Sequence, residues 1–241
     1  MTTLFISDLH LEEARPGITR AFFHFLDTYA LNATELYILG DFFEVWIGDD
    51  ATNPLAREVS DAISKTSKRG CSVFFLPGNR DFLLGNGYLK PADATLIEEP
   101  YRLTTDNGKS ILLLHGDTLC TDDTEYQAFR KMVRNPAWQT EFLAKPIEER
   151  SAIARHIRNE SQKAATNKSY EIMDVNIEAV DLTFLQQGVD IIIHGHTHRP
   201  GKHTHIVGDR EVERIVLGDW SESVWYLELK NCELNLHSFP I

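Results

Sequence analysis

Residues 4–10 read Leu-Phe-Ile-Ser-Asp-Leu-His, a short apolar run that ends in an acidic residue and a histidine. An apolar run of this length, bounded by polar residues, is typical of a buried strand. Asp8 and His10 are two residues apart, so both side chains leave the same face of an extended strand end. The stretch therefore predicts a strand that carries two potential metal ligands at its carboxyl end.

The same arrangement recurs along the chain. The runs are Leu36–Leu39 before Gly40-Asp41, Val73–Leu76 before Gly78-Asn79, Ile111–Leu114 before His115-Gly116, Ile191–Ile193 before His194-Gly-His196-Thr-His198, and Ile215–Leu217 before Gly218-Asp219. Helical patterns lie between the early runs, at Thr19–Tyr29 and Pro54–Lys68. This alternation predicts parallel strand pairing in the first half of the chain.

Hairpin patterns dominate the later part of the chain. Asn107-Gly108 joins Tyr101–Thr105 to Lys109–Leu114, and Asn-Gly favours a tight hairpin turn. Two further hairpins are predicted: Thr204–Val207 with Val212–Leu217, and Ser223–Leu229 with Glu233–Phe239. The expected fold class is α/β, with an antiparallel C-terminal part.

Residues 124–180 carry no strand pattern. Tyr126, Phe129 and Val133 recur at helical spacing, as do Ile153 and Ile157. We therefore expect one domain over residues 1–241, with a helical cap inserted at about 124–180. Residues 124–176 hold nine Lys or Arg against seven Asp or Glu in a chain of net charge −12. A locally basic insert suits an anionic ligand, although many solvated helices have the same composition.

Composition excludes several classes of protein. A net charge of −12 argues against a protein that coats nucleic acid. The cysteines Cys71, Cys120 and Cys232 are far apart, which argues against a disulfide framework or a thiolate zinc site. The N-terminus lacks the pattern of a secretory signal, and no apolar run approaches the roughly 20 residues that span a bilayer. We expect a cytoplasmic protein.

Potential metal ligands stand at the ends of five predicted strands: Asp8, His10, Asp41, Asn79, His115, His196 and His198. Polar groups at the carboxyl ends of strands in an α/β sheet converge on one crevice. Oxygen and imidazole ligands suit Mn²⁺, Fe²⁺, Co²⁺, Ni²⁺ or Zn²⁺. Seven ligands are too many for one catalytic ion and fit two ions that share a carboxylate, an arrangement suited to phosphoryl hydrolysis. A single Asp-x-His or Gly-Asp is usually a turn, so the full set in this order is what predicts the site.

These motifs resemble the calcineurin-like metallophosphoesterase superfamily over nearly the whole chain except the insert. The resemblance implies a sandwich of two mixed β-sheets flanked by helices. It implies one metal held by Asp8, His10, Asp41 and His198. It implies a second metal held by Asp41, Asn79, His115 and His196, with Asp41 as the bridge.

One residue differs from the usual superfamily pattern and points to a particular family within it. Arg80 stands where most members carry histidine after Gly-Asn, and arginine binds phosphate bidentately but cannot donate a proton at neutral pH. The extended motifs at 78–85, 115–123 and 195–200 resemble the family of UDP-2,3-diacylglucosamine diphosphatases of lipid A biosynthesis. That resemblance implies two Mn²⁺ ions and attack of metal-activated water on the α-phosphorus, giving UMP and 2,3-diacylglucosamine 1-phosphate (lipid X). The alternatives are a metallophosphoesterase that acts on a soluble nucleotide diphosphate or phosphodiester, and a protein-binding scaffold with a degenerate site.

The resemblance also implies roles for individual residues. The catalytic group is Asp41, Asn79, Arg80 and His115. The substrate contacts are Asn79, Arg80, Asp122, Ser161, Ala165, Lys168 and His196. Tyr126, beside the Asp122 loop, is a further candidate. Ala165 offers only its backbone, so Thr166 or Asn167 is an alternative for that contact. We expect His194 to be a hydrogen-bonded support, and Asp117, Asp123 and Asp219 to be turn or loop carboxylates.

The insert carries apolar residues beside Arg130, Lys131 and Arg134: Phe129, Met132, Val133, Trp138, Phe142 and Leu143. Such a surface would suit peripheral contact with the cytoplasmic face of the inner membrane, which would supply the lipid-linked UDP-sugar. Packing against the core is an equally good explanation of the same residues. We expect no nucleic acid and no obligate protein partner.

Overall fold

The computed structural model of the protein describes residues 1–167, 172 and 174–241, without the side chains of residues 162 and 164–167. The strands are β1 (Thr2–Ile6), β2 (Glu35–Leu39), β3 (Ser72–Leu76), β4 (Ala94–Leu96), β5 (Tyr101–Thr104), β6 (Ser110–Leu113), β7 (Ile191–His194), β8 (Gly201–Val207), β9 (Arg210–Val216), β10 (Ser223–Lys230) and β11 (Glu233–Pro240). The helices are α1 (Pro16–Thr28), α2 (Pro54–Lys68), α3 (Asn86–Leu89), α4 (Thr124–Val133), α5 (Pro136–Leu143), α6 (Ile147–Asn167) and α7 (Ile177–Gln187).

The strands form two mixed sheets. The first has the order β11-β10-β1-β2-β3-β4, in which β1 to β4 are parallel and β10 is antiparallel to both of its neighbours. The second has the order β5-β6-β7-β9-β8, in which β6, β7 and β9 are parallel. The hairpins β5–β6, β8–β9 and β10–β11 were all predicted and are confirmed.

Alternating side chains place β1 between two hydrophobic layers. Phe5 points to the layer between the two sheets, where it lies in one cluster with Ile111, Ile193 and Ile215 of the second sheet. Leu4 and Ile6 point the other way and pack with α1 and α2 residues such as Phe22 and Val59. On the far side, α7 covers the second sheet. The predicted sandwich of two mixed sheets flanked by helices is therefore confirmed.

Local signals explain where the long helices begin. Pro54 occupies the first turn of α2, and the Asn53 side chain accepts a hydrogen bond from the Ala56 N–H at 2.8 Å. This helix has its predicted bounds, and α1 begins three residues before the predicted Thr19 because Pro16 starts it. The four-residue α3 and three-residue β4 were not predicted, because elements so short show no hydrophobic periodicity.

Helices account for most of the described residues in the region of the predicted insert. We refer to α4, α5 and α6 as the cap. Residue 180 lies inside α7, whose Val180 and Phe184 are buried against the second sheet. The cap therefore ends before α7. That the cap is an insertion in a single domain stays a prediction. Among the described residues, no helix combines the length and the apolar character needed to cross a membrane.

Candidate metal centre

Five of the seven predicted ligands have backbone in the left-handed region. The φ angles are 56° at Asp8, 50° at His10, 49° at Asp41, 66° at His196 and 55° at His198. This region is sparsely populated by residues other than glycine and costs free energy, so the surrounding structure must hold it. Such strain concentrates at functional sites. The chain therefore turns sharply at the strand ends where the potential ligands stand.

Glycines allow these turns to approach one another closely. A Cβ atom on Gly78 would lie 2.3 Å from the Asp41 N and Oδ1 atoms. On Gly195 it would lie 2.1 Å from Asp8 Oδ2, and on Gly40 it would lie 2.6 Å from His115 Nδ1. A side chain at any of the three positions would fill the space in which the predicted ligands converge.

Asp8, His10 and His198 form the first group of converging ligand atoms. His10 Nε2 and His198 Nε2 are 3.4 Å apart, and His198 Nε2 is 3.3 Å from Asp8 Oδ1. Asp8 and His10 are buried, whereas the His198 side chain is 38% exposed. The open side of this group is therefore at His198.

Asp41, His115 and His196 form the second group, and the Asn79 amide joins it. Asn79 Oδ1 lies 2.8 Å from His115 Nε2 and 2.8 Å from His196 Nδ1. Asp41 Oδ1 is 3.5 Å from His115 Nε2 and accepts a hydrogen bond from the Arg80 N–H at 2.8 Å. The structure thus brings all seven predicted ligands into two groups.

The chemistry of these donors fits divalent cations. Oxygen and imidazole nitrogen atoms converge without a thiolate, which suits first-row transition metals. Asp8 Oδ1 is buried and has only the His198 ring nitrogen nearby, at 3.3 Å, so its charge costs free energy unless a cation compensates it. His10 Nδ1 lies 2.9 Å from Glu44 Oε2, close to a carboxylate that can orient the ring toward a metal at Nε2.

The charges of the two groups set the protonation of the histidines. Burial lowers the pKa of His115, but the negative charges of Asp41 and Asp117 outweigh burial and raise it to about 9. Burial, together with the positive charge of His115, lowers the pKa of His196 to about 4. Burial also lowers the pKa of His198, but pairing with Asp8 outweighs it and raises the pKa. Cations would therefore replace protons at His115 and His198.

Asp81 connects two of the ligand-bearing loops. Its Oδ2 atom accepts from the Phe42 N–H at 2.7 Å, and its Oδ1 atom accepts from the Gly78 N–H at 2.8 Å. Burial and the nearby charge of Asp41 raise the pKa of this carboxyl to about 6. Asp81 therefore fixes the loop after β2 against the loop after β3.

Residues 1–200 match the sequence profile of the calcineurin-like phosphoesterases. The chain belongs to the calcineurin-like phosphoesterase family. Membership of this family implies divalent metal ions at the centre described above.

Relatives within the family share the whole length of the chain. A protein named UDP-2,3-diacylglucosamine hydrolase from Cellvibrio japonicus is 49% identical over 241 residues, which is 100% of both chains. A protein of the same name from Hahella chejuensis is 50% identical over 226 residues, covering 94% of this chain and 92% of its own. Another from Azotobacter vinelandii is 46% identical over 243 residues and 100% of both chains. The likeness therefore includes the cap, and the predicted resemblance is confirmed.

Arg80 lies beside the second group of this calcineurin-like phosphoesterase centre, where its N–H donates to Asp41. Its NH1 atom is 3.9 Å from Glu44 Oε1, and its side chain is 29% exposed. The Arg80 Nε atom is buried and has no hydrogen-bond partner. A guanidinium with an unused donor beside the ligand groups can bind a phosphate oxygen.

The predicted substrate contacts are spread more widely than the predicted ligands. The Tyr126 ring lies 5.9 Å from the His196 ring, but its hydroxyl donates to Asp117 Oδ2 at 2.6 Å. Asp122 is exposed and accepts from Asn176 Nδ2 at 2.9 Å. Ser161 is exposed on α6. The Ala165, Thr166 and Asn167 side chains and the whole of Lys168 lie outside the described residues.

Sequence reasoning missed a partly buried network between the cap and the second group. Asp117 was predicted to be a turn or loop carboxylate, but it is fully buried and accepts from Arg130 Nε at 2.7 Å. Arg130 NH2 also donates to Glu99 Oε2 at 2.9 Å, and Glu99 Oε1 accepts from the His115 N–H at 2.8 Å. No local pattern indicates this network, because its members come from separate elements. It fixes α4 against the loop that carries His115.

A second missed contact joins the cap to the first group. Arg158 of α6 pairs with Glu44, the carboxylate beside His10. Glu44 follows Asp41 by three residues. This closeness to a predicted ligand is the one sequence signal that could have indicated its role. His194, by contrast, is fully buried and makes the hydrogen bonds predicted for it, to Gly195 O at 2.8 Å and to Arg214 NH1 at 3.1 Å.

Proposed function

We propose that this protein hydrolyses UDP-2,3-diacylglucosamine at its α-phosphorus and releases UMP and 2,3-diacylglucosamine 1-phosphate (lipid X), a step of lipid A biosynthesis. The observation that carries the proposal is the convergence of the seven predicted ligands beside the unpaired Arg80 Nε atom. The full-length relatives named UDP-2,3-diacylglucosamine hydrolase support the choice of substrate.

The proposed cofactor is a pair of Mn²⁺ ions. The first group would hold one ion and the second group, with Asn79, the other, while Asp41 would contact both. When bound, two such ions would activate water and neutralise the negative charge that develops on the oxygens around the phosphorus. The carboxylates and imidazoles of the chain would hold the ions, and the strained turns at Asp8, His10 and Asp41 fix the directions of these donors.

Arg80 would bind the oxygens of the diphosphate. Its backbone N–H is fixed on Asp41 at 2.8 Å, so the guanidinium starts from a position tied to the proposed bridging ligand. Because arginine stays protonated, Arg80 would stabilise charge in the transition state and would not transfer a proton. Asn79 and His196 would contact the substrate beside it.

The sugar and acyl chains would lie between the cap and the loop at 43–48. Arg150 of α6 donates to Ile47 O at 2.7 Å and to the Asp50 carboxylate, so the cap contacts this loop directly. A pocket of about 320 Å³ opens at the loop, with Phe43, Val45 and Trp46 in its wall. Burial of an acyl chain there is worth about 0.8 kcal/mol per methylene. The polar contacts would come from Asp122, Tyr126, Ser161, Ala165 and Lys168.

Peripheral contact with the cytoplasmic face of the inner membrane would deliver such a substrate. Met132, Leu143 and Ile147 of the cap are 48%, 40% and 40% exposed, and Val45 in the loop at 43–48 is 44% exposed. Val133 and Phe142, which were predicted as candidates for the same surface, are buried instead. Arg130 and Arg134 are engaged within the protein, since Arg130 Nε donates to Asp117 Oδ2 at 2.7 Å and Arg134 NH2 donates to Gly78 O at 2.9 Å, whereas Lys131 is exposed. Membrane attachment would therefore depend mainly on the exposed apolar side chains.

The test is the release of UMP from UDP-2,3-diacylglucosamine by purified protein, with and without Mn²⁺ after chelation. We expect turnover only with the metal. In H₂¹⁸O the label should appear in UMP, because water attacks the α-phosphorus. Equal turnover of an unacylated UDP-sugar would favour the soluble-nucleotide alternative. The absence of turnover on either substrate with bound Mn²⁺ would contradict the proposal.

A further inference from the structure

A buried row of polar side chains lies behind the metal centre, on three neighbouring strands of the second sheet. It consists of His205 on β8, Arg214 on β9 and His194 on β7, and we call it the Arg–His row. Arg214 is 5% exposed and His194 is fully buried. Arg214 NH1 lies 3.1 Å from His194 Nε2, and Arg214 Nε lies 3.4 Å from His205 Nε2. Among the residues that the structure describes, Arg214 makes no ion pair with a carboxylate.

The arginine fixes the direction of every hydrogen bond in the row. A guanidinium only donates, so the Nε2 atoms of both histidines must accept and their hydrogens must sit on Nδ1. The two Nδ1 atoms do face acceptors: His194 Nδ1 is 2.8 Å from Gly195 O, and His205 Nδ1 is 3.2 Å from Asp181 Oδ1. One tautomer of each histidine therefore satisfies all four contacts.

The row ends at the peptide that precedes the predicted ligands His196 and His198. The Gly195 N–H donates to His115 O at 2.9 Å, and the His196 N–H donates to Asp8 Oδ2 at 2.9 Å. A Cβ atom on Gly116 would lie 2.6 Å from His194 Nδ1, so the ring fills the space between the loops after β6 and β7. Rotation of the His194 ring would release the Gly195 carbonyl and disturb both loops.

We infer that Arg214 is a positioning residue for the metal centre, acting through the ring orientation of His194. Left-handed backbone at His196 and His198 persists only where neighbouring contacts hold it, and the Gly195 carbonyl is one of the groups held. Groups that hydrogen-bond directly to metal ligands typically change metal affinity or activity by 10- to 100-fold when they are removed. Arg214 acts further back, through His194 and the Gly195 carbonyl, so we expect an effect at the lower end of that range. This inference rests on the proposed function, because it takes His196 and His198 to be metal ligands.

The first experiment compares Mn²⁺ binding by Arg214→Met and the wild type, with electron paramagnetic resonance of free Mn²⁺ as the readout. The matched control is Arg210→Met on the same strand, where the arginine is half-exposed and pairs with Asp190 at 2.7 Å. We expect affinity to fall about tenfold in Arg214→Met, to recover in part in Arg214→Lys, and to change little in Arg210→Met. Wild-type affinity in Arg214→Met would overturn the inference.

The second experiment reads the His194 tautomer directly, by ¹⁵N NMR of the metal-free protein. We expect hydrogen on Nδ1 in the wild type and a mixture of tautomers in Arg214→Met; hydrogen on Nε2 in the wild type would overturn the inference. If the wild-type protein had no affinity for Mn²⁺, the proposed function would be wrong instead. The tautomer measurement would still show whether Arg214 fixes the orientation of the His194 ring.

If Arg214→Met does not fold, the comparison of His194→Gln with His194→Leu decides the matter. A glutamine amide can accept from Arg214 and donate to Gly195 O, so His194→Gln should bind Mn²⁺ about tenfold more tightly than His194→Leu. Equal affinities would overturn the inference.

Discussion

The metal centre and the cap are held to the protein by different means. In the centre, five predicted ligands stand in left-handed turns, which pack closely because glycines lie between them. A Cβ atom on Gly78, for example, would lie only 2.3 Å from Asp41. In the cap, α4 and α5 each bury one residue, Val133 and Phe142. The cap is attached instead through arginines that reach the core, Arg130, Arg134, Arg150 and Arg158.

This difference indicates a division of labour. The centre is part of the sheets, so the geometry of its donors depends on strand ends that the whole core stabilises. The cap adds exposed apolar surface and polar contacts at the rim, where the substrate would be chosen. Changes in the centre, or in the cap arginines that contact its loops, should therefore reduce hydrolysis of every substrate. Changes to the exposed apolar side chains of the cap and of the loop at 43–48 should reduce hydrolysis of the diacylated substrate alone.

The largest effect is expected for Asp41→Ala. It removes the proposed ligand of both ions, so turnover should fall by roughly 10³-fold or more on the diacylated substrate and on a simple aryl phosphodiester alike. Metal content, measured by inductively coupled plasma mass spectrometry, should fall below two ions per chain. Two bound ions with nearly normal turnover would show that Asp41 is not the bridge.

Arg80→Ala should have the next largest effect. We expect a loss of about 10²-fold in turnover from the lost stabilisation of charge, with metal content unchanged. Arg80→Lys should restore only part of it, because an ammonium does not reproduce the bidentate guanidinium. Steady-state kinetics of both variants measure this, and full activity in Arg80→Ala would remove the residue from the mechanism.

A smaller and selective effect is expected for Val45→Asn, in the loop beneath the cap. Loss of apolar contact with an acyl chain should lower kcat/KM for the diacylated substrate about tenfold, in line with burial of one aliphatic side chain. Hydrolysis of the aryl phosphodiester should not change. Leu185→Asn is the control, since Leu185 is 63% exposed on α7. An equal loss on both substrates would mean that the loop supports the centre and does not select the acyl chain.

The smallest effect concerns pH. With the pKa of His115 at about 9 and that of His198 raised, protons compete with cations at neutral pH, so metal affinity should rise with pH up to about 9. The rise should not exceed about tenfold per pH unit for each proton displaced. Calorimetry in buffers of different ionisation enthalpy counts the protons released. Affinity that is flat between pH 6 and 8 would contradict the assigned protonation.

The seven ligands could be predicted from the sequence because they follow short apolar runs that form strands, and parallel strands bring their carboxyl ends together. The left-handed backbone of five of them was not predicted, because a glycine precedes only Asp41 and His196 among the five. Asp117 and Glu44 gain importance from residues far away in sequence, Arg130 and Arg158 among them, which no local pattern shows. The cap boundary was also harder to predict, because α7 has the same helical periodicity whether it covers a substrate or a sheet.

The most direct test of the account is an anomalous diffraction map of crystals soaked in Mn²⁺, recorded at the manganese edge. We expect two peaks, one among Asp8, His10 and His198 and one among Asn79, His115 and His196, each within bonding distance of Asp41. A single peak, or two peaks of which one lies outside these residues, would contradict the two-ion centre.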